Sequence, residues 1–128
     1  MGKSAHNDVL DAALDWIADA GDKIFLCSAE PTTYTEASAT YALADHAMTE
    51  GDGNGDYTIA DGDAGGRKLT VAQQASIEVD ATGTATHVAI CDSVAEKVLE
   101  VTTCTSQAVT NGNFVTINSH KYTLGDPT

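Results

Sequence analysis

The run DGNGDYTIADGD, Asp52 to Asp63, is the densest set of oxygen donors in the chain. Hard cations such as Ca²⁺ take several carboxylate and carbonyl oxygens, which an EF-hand loop supplies at alternating positions. Asp52, Asn54, Asp56 and Thr58 fall at positions 1, 3, 5 and 7 of such a loop, Ile59 at the apolar position 8 and Asp63 at position 12. Two substitutions depart from that frame. Tyr57 stands where a Gly makes the sharp turn, and Asp63 is shorter than the bidentate Glu. RKLTVA, which follows, reads as a strand rather than an exiting helix. The commoner reading of such a run is an acidic surface loop loosened by Gly. Ca²⁺ is the one cofactor the residues suggest.

Other chemistry finds less support. His6, His46, His87 and His120 are far apart and lie in no HExxH or HxH spacing. No G-x-S-x-G elbow occurs. Asp61 and Asp63 form a carboxylate pair, but on a Gly-rich segment their expected role is solvation. Gly62, Gly65 and Gly66 lack a phosphate-binding frame. Nothing here predicts catalysis. Cys27, Cys91 and Cys104 are odd in number and sit in or beside apolar runs. Such thiols act as small buried hydrophobes, or one or more of them forms an internal or interchain disulfide after release from a reducing compartment.

The elements that must position these residues are mostly strands. Asn7 to Ala20 is the exception. Val9, Leu10, Ala13, Leu14 and Ile17 recur at helical spacing, Asn7 is placed to cap the N-terminus and Gly21 to end the helix. Trp16 lies at the edge of the stripe as a packing anchor. Lys23–Cys27 is a compact apolar strand, and Pro31 makes Ser28–Ser38 a loop or edge segment. Further strands are expected over 40–48, 57–60, 67–72, 76–80, 84–92, 96–103 and around Phe114–Ile117, with Tyr122 and Leu124 closing the chain. Asn111–Gly112 marks a hairpin turn or loop apex, and Tyr34, Tyr41 and Tyr57 flank loops as candidate contact residues. Short strands at this spacing, with no helices between them, predict a mainly β fold. The expected form is an antiparallel, jelly-roll-like β-sandwich at 23–128, preceded by an N-terminal arm and amphipathic helix at 1–22.

Charge narrows the function classes. The 128 residues carry 19 Asp+Glu against 6 Lys+Arg, a net charge of −13. A field of that sign repels phosphate backbones and anionic lipid, so neither nucleic acid nor membrane is an expected partner. No apolar run approaches the ~18 residues that span a bilayer. The start, MGKSAHNDVL, lacks an apolar h-region and does not fit the myristoylation pattern, so synthesis in the cytoplasm is expected.

Four segments carry a resemblance: CSAEPTTYTEASATYALAD (27–45), DGDAGGRKLTVA (61–72), ATGTATHVAICD (81–92) and VTTCTSQAVTNGNFVTI (101–117). In wording and order the chain resembles small proteins of the structural-gene clusters of tailed phages and prophages of α-proteobacteria and similar hosts. It departs from them by an acidic insertion around Glu50–Gly55. The resemblance implies a non-enzymatic virion component, made in the host cytoplasm, that partners capsid or other virion structural proteins and forms a homo-oligomer. Because an acidic protein is a poor lining for a DNA-filled shell, the expected place is the outer capsid surface, as a head decoration or cement protein. The alternatives are a neck, collar or tail accessory, or a Ca²⁺-dependent adhesion module.

Overall fold

The computed structural model describes residues 3–127. Among these, one α-helix precedes nine strands. The helix, α1, spans Asn7–Ala20, as the apolar spacing predicts. Its cap differs. His6, not Asn7, occupies the N-cap, and the His6 ring accepts a hydrogen bond from the Asp8 amide at 3.1 Å. Leu14, Ile17 and Ala18 are buried, whereas Val9 and Trp16 are 66% and 61% exposed. Trp16 is therefore a surface residue and not the anchor expected from the stripe; its ring lies under the Lys97 ammonium, 5.9 Å from the centroid.

The strands are β1 (Lys23–Cys27), β2 (Ala42–Ala47), β3 (Tyr57–Asp61), β4 (Arg67–Val71), β5 (Gln74–Glu78), β6 (Gly83–Asp92), β7 (Lys97–Val109), β8 (Phe114–Ile117) and β9 (His120–Leu124). They form a four-stranded sheet in the order β2-β1-β6-β7, a three-stranded sheet β3-β4-β9 and a pair β5-β8. Every pairing between these strands is antiparallel. The protein is thus mainly β, antiparallel, with one N-terminal helix, as the sequence predicts.

One core joins all three sheets and the helix. Ile24, Leu26, Val88 and Ile90 from the first sheet meet Tyr57, Ile59, Leu69 and Val71 from the second and Ile77 and Ile117 from the pair, with Leu14 and Ile17 of α1 among them. Removing a side chain such as Leu14 from this core costs about 2–5 kcal/mol. The alternation of β1 and β6 sends Phe25, Cys27, Ala89 and Cys91 to the opposite face of the first sheet. That face is also covered. The connection between β1 and β2, expected as a plain loop or edge, folds into a helical turn at Glu36–Thr40, with Tyr41 N–H donating to the Glu36 carbonyl at 2.8 Å. It drops Ala37 onto Cys27, and Tyr34 meets Phe25 edge-on at 6.1 Å between centroids.

Three polar ties hold the helix and turns on this frame. Tyr57, expected as a contact residue, is fully buried, and its hydroxyl donates to the Gly21 carbonyl at 2.6 Å. This close approach explains Gly21. Its φ of −75° is not left-handed, but a Cβ would lie 2.6 Å from both the Tyr57 hydroxyl and the Ile17 carbonyl. Arg67 of β4 grips Asp11 of α1 with two nitrogens, at 2.7 and 3.2 Å, and Asp61 with a third at 2.8 Å. Asp22 accepts from the Ser93 amide at 2.8 Å and from the Ser93 hydroxyl, anchoring the turn between β6 and β7.

Two further points concern the second half. β7 runs on past Thr103 to Val109, pairing with β6 as far as Gly83↔Val109 after an irregularity between Ala85 and His87. Thr105, Ser106, Gln107 and Ala108 are exposed, so no apolar alternation marks this extension. Asn111–Gly112 is a loop apex rather than a hairpin between paired strands, because β7 and β8 are not neighbours. The Gly112 amide donates to Val79, with φ at +88°, a value Gly adopts without strain.

Candidate functional site: the trough between two sheet edges

The acidic run identified from sequence does not close around a common centre. Asp52 accepts from the Ile59 amide at 2.8 Å. Asp56 accepts from the Thr49 amide at 2.6 Å and from the Gln74 side chain at 3.0 Å. Asn54 donates to the Glu50 carbonyl at 2.7 Å. Thr58 is an exposed β3 residue paired with Thr70. Asp63 is bound by two lysines, Lys68 at 2.5 Å and Lys121 at 3.2 Å, whose hydrogen bonds hold its carboxyl below the usual range. The structure therefore keeps Asp52, Asn54 and Asp56 on one loop, where each serves the chain's own backbone or side chains, and ties Asp63 to β4 and β9. Among the described residues, no group of three or more His, Cys, Asp or Glu is gathered as a metal site.

The cysteines are free thiols. Cys27 and Cys91 share the covered face of the first sheet, but Cys91 lies opposite Lys23 while Cys27 lies opposite His87. Four residues of strand separate them, roughly 13 Å at strand rise and beyond disulfide reach. Burial pushes Cys27 up to about 11 and Cys91 up to about 12. The Cys27 thiol donates to the Ala37 carbonyl at 3.6 Å. Cys104 sits on the other face and is only partly buried.

What the fold leaves open lies elsewhere. β7 ends the first sheet and β9 ends the second, and among the described residues neither has another strand on its outer side. Leu99–Thr102 of β7 and His120–Thr123 of β9 line the two walls of a groove of about 380 Å³. Two further hollows continue it. One, of about 350 Å³, runs over Leu99 and Tyr122 to Trp16. The other, of about 270 Å³, runs past Thr102 and His120 to Cys104 and Gln107. Together they form a trough beside β7, whose last hollow turns in beneath the first sheet to Leu26, Ala85 and Val88.

One polar pair crosses the trough. Glu100 of β7 and His120 of β9 meet at 2.6 Å through one carboxylate oxygen and the ring Nε2. The Glu100 side chain is 8% exposed and its second oxygen, Oε2, is buried without a hydrogen-bond partner. Such a group is costly, by about 1–3 kcal/mol or more when charged. At one end, Trp16 and Tyr122 present exposed rings. The chemistry on offer is recognition: backbone edges, a desolvated acid and aromatic surface.

The sequence carries faint traces of this site. Glu100 interrupts the apolar run VLEV, an unusual place for a charge, but nothing in the spacing pairs it with His120. That meeting depends on which strands end the sheets.

Compared with known families, curated proteins and solved structures, the chain finds no match in any of the three.

Proposed function

We propose that the protein is a non-enzymatic structural component of a tailed-phage virion, and specifically a head decoration or cement protein on the outer capsid surface. The observation that carries this reading is the open trough along β7, with Trp16 and Tyr122 exposed beside it. Unpaired sheet edges and grouped exposed aromatic residues are features of surfaces that meet other proteins. The net charge of −13 favours a site outside a DNA-filled shell. The four segments similar to phage structural-cluster proteins supply the setting.

The test is to purify the particles and locate the chain on them by electron cryomicroscopy and quantitative mass spectrometry. Repeated copies on the capsid lattice are expected. Copies confined to the portal vertex or tail would move the role to a collar or tail accessory. Abundance in the host cytosol with none on the particle would overturn the reading.

A further inference from the structure

We propose that the trough binds an extended, basic segment of a partner protein, which adds as a strand along β7 and sets an Arg or Lys against Glu100. This rests on the reading of the protein as one that works by protein contact, and adds the class of partner.

The backbone argues first. β7 is 13 residues long and, among the described residues, no strand pairs with its outer edge. Exposed edges are ordinarily guarded by charge, Pro or shortness. Between Lys97 and Val109 β7 has no Pro and, after Lys97 itself, one charged residue, Glu100. Glu100 lines the trough rather than guarding its mouth. An edge of this length and composition is a template for a further strand.

Charge then selects the occupant. His120 takes one Glu100 oxygen and leaves the other unsatisfied. A guanidinium presents paired donors that fit a carboxylate. An ammonium supplies the same charge from a single point. Acidic segments are disfavoured by Glu100 locally and by the field of the whole chain. A second copy brings another −13 to the interface and is disfavoured for that reason. At the far end, where Lys97 already lies over Trp16, the Trp16 and Tyr122 rings suit an apolar side chain.

The test uses an acetylated, amidated peptide of alternating Thr and Val, about nine residues long, with Arg at its centre. Its counterpart carries Glu there. Trp16 is the single Trp of the chain and lies beside the trough, so its fluorescence reports binding. The Arg peptide is expected to bind saturably, to shift amide resonances of β7 and β9, and to bind at least about tenfold tighter than the Glu peptide. Glu100→Gln, which keeps the side-chain shape, is expected to erase that preference. N-methylation of one of the two alternating sets of peptide amides is expected to abolish binding.

Equal binding of Arg and Glu peptides would overturn the charge selection. Tolerance of N-methylation on both sets would overturn strand addition, as would resonance shifts away from β7 and β9. A dimer in solution that Trp16→Ala with Tyr122→Ala dissolves, while the peptide has no effect, would assign the trough to a second copy instead. Failure with the peptide while copies are found on the capsid overturns the trough alone. Peptide binding by a chain absent from particles overturns the virion role alone.

Discussion

The Asp52–Asp63 segment and the β7–β9 trough treat carboxylates in opposite ways. In the first, Asp52, Asp56 and Asp63 accept hydrogen bonds from backbone amides, Gln74 and two lysines, and the acids hold the chain to itself. In the second, Glu100 is more deeply buried than any of these, yet half of its carboxylate is unsatisfied. Density of acidic residues therefore does not mark where hydrogen bonding is left incomplete in this protein; the lone buried Glu100 does.

The largest contrast is expected in the thiols. Cys104 borders the open trough, whereas Cys27 and Cys91 lie under the helical turn between β1 and β2. In the folded protein a soluble disulfide reagent should modify Cys104 at least about a hundredfold faster than the other two, because the thiolate must be both formed and reached. Equal rates, measured by peptide mapping, would mean that the covered face opens readily. The same burial sets an alkaline limit. The folded-state values of Cys27 and Cys91, about 11 and about 12, lie above the ordinary thiol value of 9.0. The stability they contribute is complete below about pH 9, and is lost as pH rises from there through about 11 to 12. Denaturant midpoints across that window should fall, and a Cys27→Ala, Cys91→Ala variant should show a flatter decline.

Next in size, Asp52→Ala with Asp56→Ala removes acceptors from Thr49, Ile59 and Gln74 and should cost about 2–3 kcal/mol in urea unfolding. If these acids act purely as internal braces, the loss is the same in Ca²⁺ and in chelator. A loss that appears only with Ca²⁺ present would return the segment to ion binding. Glu100→Gln should change stability by less than about 1 kcal/mol, since the amide oxygen can still bond His120 while the desolvated charge is gone. A large loss would show that the acid stabilises the free protein and is not held in reserve. The smallest effect is expected at Lys121→Ala, where an exposed pair with Asp63 is lost. Asp63 is depressed by its lysines, so its contribution is present above the usual carboxylate range and fades as pH falls through the lowered value. Thermal scans of parent and variant should converge at low pH.

Much of the frame was legible where one face is buried and the other wet. Leu14 and Ile17 at helical spacing placed α1, and Leu69 and Val71 against Lys68 and Thr70 placed β4 and its two faces. The periodicity failed where burial is absent. The outer half of β7 is exposed on both sides and carries no pattern, although β6 still pairs with it. Trp16 looked like core because large aromatic residues usually are, yet it lies one position outside the contact stripe. Tyr57 looked like a loop-flanking residue because its partner, the Gly21 carbonyl, is 36 residues away. The trough was hidden for the same reason. It is made by two sheet edges coming side by side, and no local spacing encodes the order of strands.

The burial of both faces of β1 and β6 has a consequence for motion. Amide exchange should be slowest there, since exposing those amides means disrupting two clusters of packed side chains, and fastest in the outer half of β7, whose backbone bonds lean on β6 alone. An opening of that kind leaves the middle of the sheet intact. The edge can fray and re-form many times within the lifetime of one folded molecule, while the centre of the sheet keeps one shape.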